Sequence, residues 1–174
     1  MIISVKQLKK HVSTAIDDEV LADRLSALEL LIRKTTNNNF QNRNIRFEVD
    51  ISSPKLALDT PYLKPGDTVQ ISQSKLNDGL YVILKIEDGV ITLDRDLYPE
   101  DKVLITKVEY PMDIKMGVVN LMKWEIENRD KVGIASETIS RHSVTYFNMD
   151  GDNSTLGYPK SLTGFLKPYM KARF

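Results

Sequence analysis

The side chains able to do chemistry are few and scattered. His11 and His142 are the two histidines of the chain, the only groups that titrate near neutral pH without help. A catalytic pair would need both in one cleft with an orienting partner, and nothing in the sequence brings them together. Asn148, Asp150 and Asp152 alternate around Gly151 like a fragment of a calcium loop. An EF-hand loop needs glycine at its sixth position and Glu at its twelfth. Counted from Asn148, glycine falls at the fourth and Pro159 at the twelfth, so a solvated loop is the expectation. Ser140-Arg141-His142-Ser143 carries nucleophile-like residues without the glycine-flanked elbow that exposes a catalytic serine. No phosphate-cradling glycine loop or dinucleotide fingerprint occurs. The chain contains no cysteine, which removes disulfides, zinc ribbons and thiol catalysis together. No enzyme, metal or cofactor is expected.

Two cationic features remain. Lys6, Lys9 and Lys10 make a basic stripe on a short helix. A solvated face is the ordinary explanation; sequence-independent phosphate contact is the sharper one. No aromatics for base stacking are interleaved with them. The C-terminal stretch carries Leu162, Phe165, Leu166, Tyr169, Met170, Lys171, Arg173 and Phe174. Chain ends fray unless something ties them down. Packing onto the chain's own core is one reading, and docking onto a partner is the preferred one, because large apolar groups at a surface mark interfaces.

The elements that must position these residues change character twice. Ser4 and Gln7 have capping-box spacing before a short helix over about 5–12. Asp17-Asp18-Glu19 opens a second helix, in which Leu21, Leu25, Leu28 and Ile32 share one face. Thr35-Thr36-Asn37-Asn38-Asn39 should stop it. From Arg46 to Tyr110 the pattern alternates, with turns at Pro65-Gly66-Asp67, Asn77-Asp78-Gly79 and Glu87-Asp88-Gly89. Five short strands are expected there, in a barrel or sandwich. A helix over about 113–130 follows, apolar nearly all round and so expected to be buried by neighbours or another subunit. A short hairpin (Ser136–Ser140 with Ser143–Phe147) and a last helix from Pro159 complete the chain.

The fold class expected is therefore α+β. It is a small bundle of about four helices from residues 1–45 and 111–174, with a five-stranded barrel- or sandwich-like module inserted at 46–110. The 174 residues allow one domain with an insertion. Twenty-four basic and 24 acidic residues cancel, unlike the basic excess of most nucleic-acid modules. The balance is uneven: residues 46–110 carry 8 basic and 12 acidic side chains, while 158–174 carry four basic and no acidic ones. No stretch reaches the roughly 18 apolar residues of a membrane helix, and the first residues lack the pattern of a signal peptide. A soluble intracellular protein is the expectation.

The order of elements resembles the head–tail connector (adaptor) proteins of tailed double-stranded DNA bacteriophages. Ile2-Ile3-Ser4 to Leu8, with Asp17-Asp18 and the Leu-rich helix, resembles the family's first helical pair. Trp124-Glu125-Ile126-Glu127-Asn128-Arg129 resembles the end of its central helix. Gly133 to Ile139 with Ser143 to Tyr146 resembles the following hairpin, and Leu166-Lys167-Pro168-Tyr169 with Arg173 the C-terminal segment. Residues 46–110 depart from the shorter members and inherit no role. The resemblance implies a non-enzymatic virion protein in the neck, made in the host cytoplasm. It implies a ring, commonly of twelve subunits, docked under the portal protein and presenting a platform to the next neck or tail-completion protein. DNA would pass through its lumen without sequence specificity. The C-terminal residues above would then face the portal, and Lys6, Lys9 and Lys10 the channel. The alternative is a double-stranded nucleic-acid-binding module using those lysines and the tail; a metal-dependent hydrolase around His142, Asp150 and Asp152 is a more distant one.

Overall fold

The computed structural model describes residues 1–130 and 132, the backbone of 131, 136–139 and 142–145, and residues 153–172. Two compact units divide the chain: a sheet unit of Met1 with Asn39–Tyr110, and a helical unit of Ile2–Asn38 with Pro111–Phe174.

The sheet unit contains strands β1 (Gln41–Ile51), β2 (Leu56–Ala57), β3 (Thr68–Ser72), β4 (Gly79–Glu87), β5 (Val90–Leu93) and β6 (Glu100–Val108). They form one antiparallel sheet in the order β1-β6-β3-β4-β5-β2, curled into a half-barrel. Alternation produces the curl's filling. Val69 and Ile71 of β3, Tyr81 and Ile83 of β4, Ile91 and Leu93 of β5 and Val103 and Ile105 of β6 turn inward. Loop residues Leu63 and Leu97 join them. Asp88 and Gly89 both take positive φ, the two-residue turn that asparagine, aspartate and glycine tolerate between hairpin strands.

The helical unit contains α1 (Val5–Leu8), α2 (Asp18–Thr36), α3 (Met112–Asn128) and α4 (Lys160–Thr163). Around them lie the hairpin β7 (Ser136–Ile139) with β8 (His142–Thr145), and the tight pair β9 (Ser154–Thr155) with β10 (Tyr158–Pro159). The Ser4 capping box forms in both directions: the Gln7 amide donates to Ser4 Oγ at 3.2 Å and the Ser4 amide to Gln7 Oε1 at 2.9 Å. Asp17 Oδ1 accepts from the Glu19 amide at 2.8 Å and opens α2. Leu21, Leu25, Leu28 and Ile32 are all buried. Asn37 ends the helix in the left-handed region (φ 48°), which asparagine tolerates better than other non-glycine residues.

This architecture overturns the bundle with a five-stranded insertion. The sheet has six strands and dominates, and two of the four helices are single turns of four residues. The missed strand β2 is two residues long, too short to show alternation. β1 starts at Gln41 inside an Asn-rich run that composition marks as a helix stop and loop. α1 ends at Leu8 rather than 12, and α4 gives way to a 3-10 segment at Gly164–Tyr169, where glycine and then Pro168 interrupt α-helical bonding. α3 is not buried all round within the chain: Ile114, Val118, Val119, Leu121 and Met122 turn inward, whereas Met112 and Met116 stay exposed. No helix among the described residues is long and apolar enough to cross a membrane.

Candidate functional site

The expected interface residues at the C-terminus divide into those that hold the segment and those that remain outside. The Phe165 ring lies directly on Gly117 of α3; a Cβ at Gly117 would sit 2.3 Å from its Cζ. Glycine is needed there for close approach, not for an unusual φ. Leu166 is 1% exposed. Leu162 and Tyr169 are half-buried, and the Tyr169 hydroxyl donates to the Asp113 carboxylate, with oxygens at 2.8 and 2.7 Å. That carboxylate, with burial second, pushes the phenol pKa up.

Beyond Tyr169 the backbone is tied to the end of α2. The Lys171 amide donates to Thr36 O at 2.8 Å, Asn37 Nδ2 to Ala172 O at 2.8 Å, and Asn38 Nδ2 to Tyr169 O at 3.3 Å. The asparagines that stop the helix thus also clasp residues 169–172. Met170 (53% exposed), Lys167 and Lys171 are left at the surface. Because Phe165 meets Gly117 and Tyr169 meets Asp113, the segment runs back along α3, and Met170 emerges at the end of the helix that carries Met112 (69% exposed). Arg173 and Phe174 lie outside the described residues.

At the other end of α3, the Trp124–Arg129 run forms one polar-aromatic cluster. The Arg129 guanidinium lies 5.4 Å from the Trp124 ring and 5.0 Å from the Tyr158 ring, a double cation–π contact. Its Nη1 donates to Gly157 O at 3.2 Å and its Nη2 to Glu125 Oε2 at 3.3 Å. The Tyr158 hydroxyl also donates to Glu125. Burial, then that carboxylate, push the Tyr158 phenol pKa up, which leaves it protonated and donating at every physiological pH. All these groups bind one another, so the cluster ties the end of α3 to Gly157 and Tyr158.

Of the expected channel lysines, Lys6, Lys9 and Lys10 are exposed, and Lys9 pairs with Asp18. His11 is exposed on the turn after α1. The side chain of His142, and Ser140, Arg141, Asn148, Asp150 and Asp152, lie outside the described residues. No group of three or more acidic or histidine side chains among the described residues could hold a metal ion.

Sequence reasoning missed a corner of the sheet unit. Asn77 is 1% exposed; its Nδ2 donates to Tyr98 O at 3.0 Å and to Glu100 Oε2 at 3.2 Å, and its Oδ1 accepts from the Tyr98 amide at 2.8 Å. The Glu100 carboxylate also accepts from Ser74 Oγ and from the Lys75 amide at 2.7 Å. This knot holds Leu76 and Tyr98 out in solvent, 62% and 64% exposed, on loops tied together by hydrogen bonds. The residues 77–79 read locally as a turn; that the Asn side chain reaches a loop twenty residues on is tertiary information.

The Ser74 hydroxyl, then the Lys75 amide, hold the Glu100 carboxyl below the ordinary carboxylate value of 4.5. A lowered folded pKa means the carboxylate's contribution is whole above the unfolded value and is lost as pH falls through the folded one. The Lys75 and Leu76 amide resonances should therefore stay fixed from pH 7 to about 4.5 and move only below it. In Glu100→Gln they should be displaced at every pH, with the acid transition at these two amides gone.

No protein-family model matches the chain, and no curated protein matches it.

Proposed function

We propose that the chain is a non-catalytic structural subunit of a phage neck, a connector ring seated under the portal that links capsid to tail while DNA passes through its lumen. Twelve subunits and a location at the head–tail junction of the virion are what the family resemblance implies. The observation that carries the reading is the surface at the start of α3. There the segment 164–172 is pinned by Leu166, Tyr169 and the two asparagines, yet it leaves Met170 in solvent between Lys167 and Lys171, and Met112 is exposed as well. Methionine's flexible, polarisable side chain suits a surface that moulds to a partner. Fixing the backbone beforehand lowers the ordering cost of docking. The balanced charge fits a conduit, since each phosphate gripped would add affinity and oppose DNA movement.

The test is co-sedimentation of the full chain with purified portal, beside a gel shift on duplex DNA at low and moderate salt. A connector should travel with portal and bind duplex feebly. Micromolar DNA binding with a steep salt slope and no portal binding would favour the nucleic-acid module instead. The double substitution Met112→Glu/Met170→Glu should weaken portal binding at least tenfold. Because both positions are exposed, the melting temperature should move little. Unchanged portal binding would remove the methionine surface from the account.

A further inference from the structure

β1 is the outer strand of the six-stranded sheet. It pairs with β6 on one side, and no strand among the described residues pairs with its other edge. Open strand edges template pairing with another chain, and proteins blunt them with proline, inward-pointing charge or bulges. β1 has no proline, and its inward residues Ile45, Phe47 and Val49 are all apolar. They pack against the sheet's core and still remain half-buried, so apolar surface stays open along this edge. Irregular pairing flanks the regular stretch, between Gln41 and Arg46 and between Val49 and Ile51. A partner strand can therefore align over about Ile45–Val49.

The outward residues decide what that partner is. Arg46 and Glu48 alternate with the apolar set on the exposed face, bracketed by Asn44 and Asp50. Residues directly opposite in an antiparallel pair point to the same face, so two copies of β1 can meet only with inward opposite inward and outward opposite outward. Centred on Phe47, this places Arg46 opposite Glu48 twice and Ile45 opposite Val49 twice. Moving the centre to Arg46 sets arginine against arginine; moving it to Glu48 sets glutamate against glutamate. The strand is thus complementary to itself about Phe47 and frustrated one step either way. Arg46 Nε donates to Thr106 Oγ1 at 3.2 Å, which uses one of the guanidinium's five donors.

We infer that two copies of this chain join edge to edge through β1, antiparallel about Phe47, continuing the sheet from six strands to twelve. Such a contact is its own mate and closes at two, whereas a ring needs two different faces. The pairing is therefore separate from ring formation and does not rest on the connector reading. Five residues a side make a small interface, and dissociation in the micromolar range is expected.

Sedimentation equilibrium of the full chain from about 5 to 500 µM reads this directly. The wild-type mass should rise from 19.8 kDa to at least twice that value, and the first step should be sensitive to β1. Glu48→Arg, which sets arginine against arginine twice, should raise the dissociation constant at least tenfold. Arg46→Glu/Glu48→Arg restores opposite charges and should return it to within about threefold of wild type. Because the chain has no cysteine, single cysteines report the register as well. An equimolar mixture of Arg46→Cys and Glu48→Cys should oxidise to the mixed disulfide in preference to like with like. A monomer at every concentration overturns the inference. So does self-association indifferent to Glu48→Arg, or like-with-like disulfides formed equally well.

Discussion

Leu166→Ala should destabilise the helical unit by about 3 kcal/mol, the range for truncating a fully buried leucine that leaves a cavity behind. For a chain of this length each kcal/mol moves the melting temperature by roughly 2–4 °C, so a fall of about 6–12 °C is expected. The same substitution should expose the chain end to trypsin at Lys167 and Lys171, whose backbone depends on the bonds to Thr36, Asn37 and Asn38. Met170→Ala, four residues on and half in solvent, should change stability by no more than about 0.5 kcal/mol. The contrast separates two roles that the sequence runs together. Leu166 and Phe165 hold the segment to α3 and the helical core, while Met170 is available to a partner. Were the whole segment a loose arm that folds only on docking, Leu166→Ala would leave the free protein's melting and proteolysis unchanged.

Asn77→Ala should cost the sheet unit about 2–4 kcal/mol. It strands the Tyr98 amide and carbonyl, two backbone groups that each cost about 1–3 kcal/mol if left unpaired out of water. Asn77→Asp is the sharper probe because it changes no volume. The carboxylate can still accept from the Tyr98 amide, but it loses the Nδ2 donor and faces both Tyr98 O and the Glu100 carboxylate. At pH 7 it should be at least as damaging as alanine, and it should recover partly as acid protonates it. Thermal melts at pH 7 and pH 4.5 of the two variants give the comparison; an Asn77→Asp penalty independent of pH would contradict the geometry described.

How much of this was legible beforehand follows the range of the interactions involved. The caps and the buried face of α2 depend on residues within four positions of one another. The Ser4–Gln7 box, Asp17 at the start of the helix and Leu21, Leu25, Leu28 and Ile32 were therefore all readable in the chain. The strand count was not. β2 exists because Leu56 and Ala57 pair with Ile91 and Val90 some 35 residues away, and two residues carry no period. The bundle was over-read because apolar spacing after Pro159 looks helical, whereas Gly164 and Pro168 convert most of it to a 3-10 segment. α3 misled in the opposite direction, since a helix apolar nearly all round can either be buried or keep part of its surface for something else, and spacing alone does not choose.

In the C-terminal segment, which side chains are held inward and which stay outside was not legible. Phe165 is drawn inward only because α3 happens to present Gly117 opposite it, a match between positions 48 residues apart. The clasp by Asn37 and Asn38 is likewise invisible, because both residues already have a sufficient local explanation as a helix stop. The Trp124–Arg129 run, which carries part of the family resemblance, ties the end of α3 to Gly157 and Tyr158 in this fold. Its residue types answer to cation–π stacking and a shared carboxylate. A stability role of that kind is compatible with any function the surface performs.

As a connector subunit, this chain would cap a portal. Negative-stain imaging of purified portal mixed with a molar excess of the full chain, with the mass of the complex measured in parallel, tests it most directly. The expected result is an added ring of density on one face of the portal and a mass increase equal to a whole number of 19.8 kDa subunits matching the ring's symmetry. Bare portals beside unbound chain, at concentrations where Met112 and Met170 are accessible and the protein is folded, would contradict it.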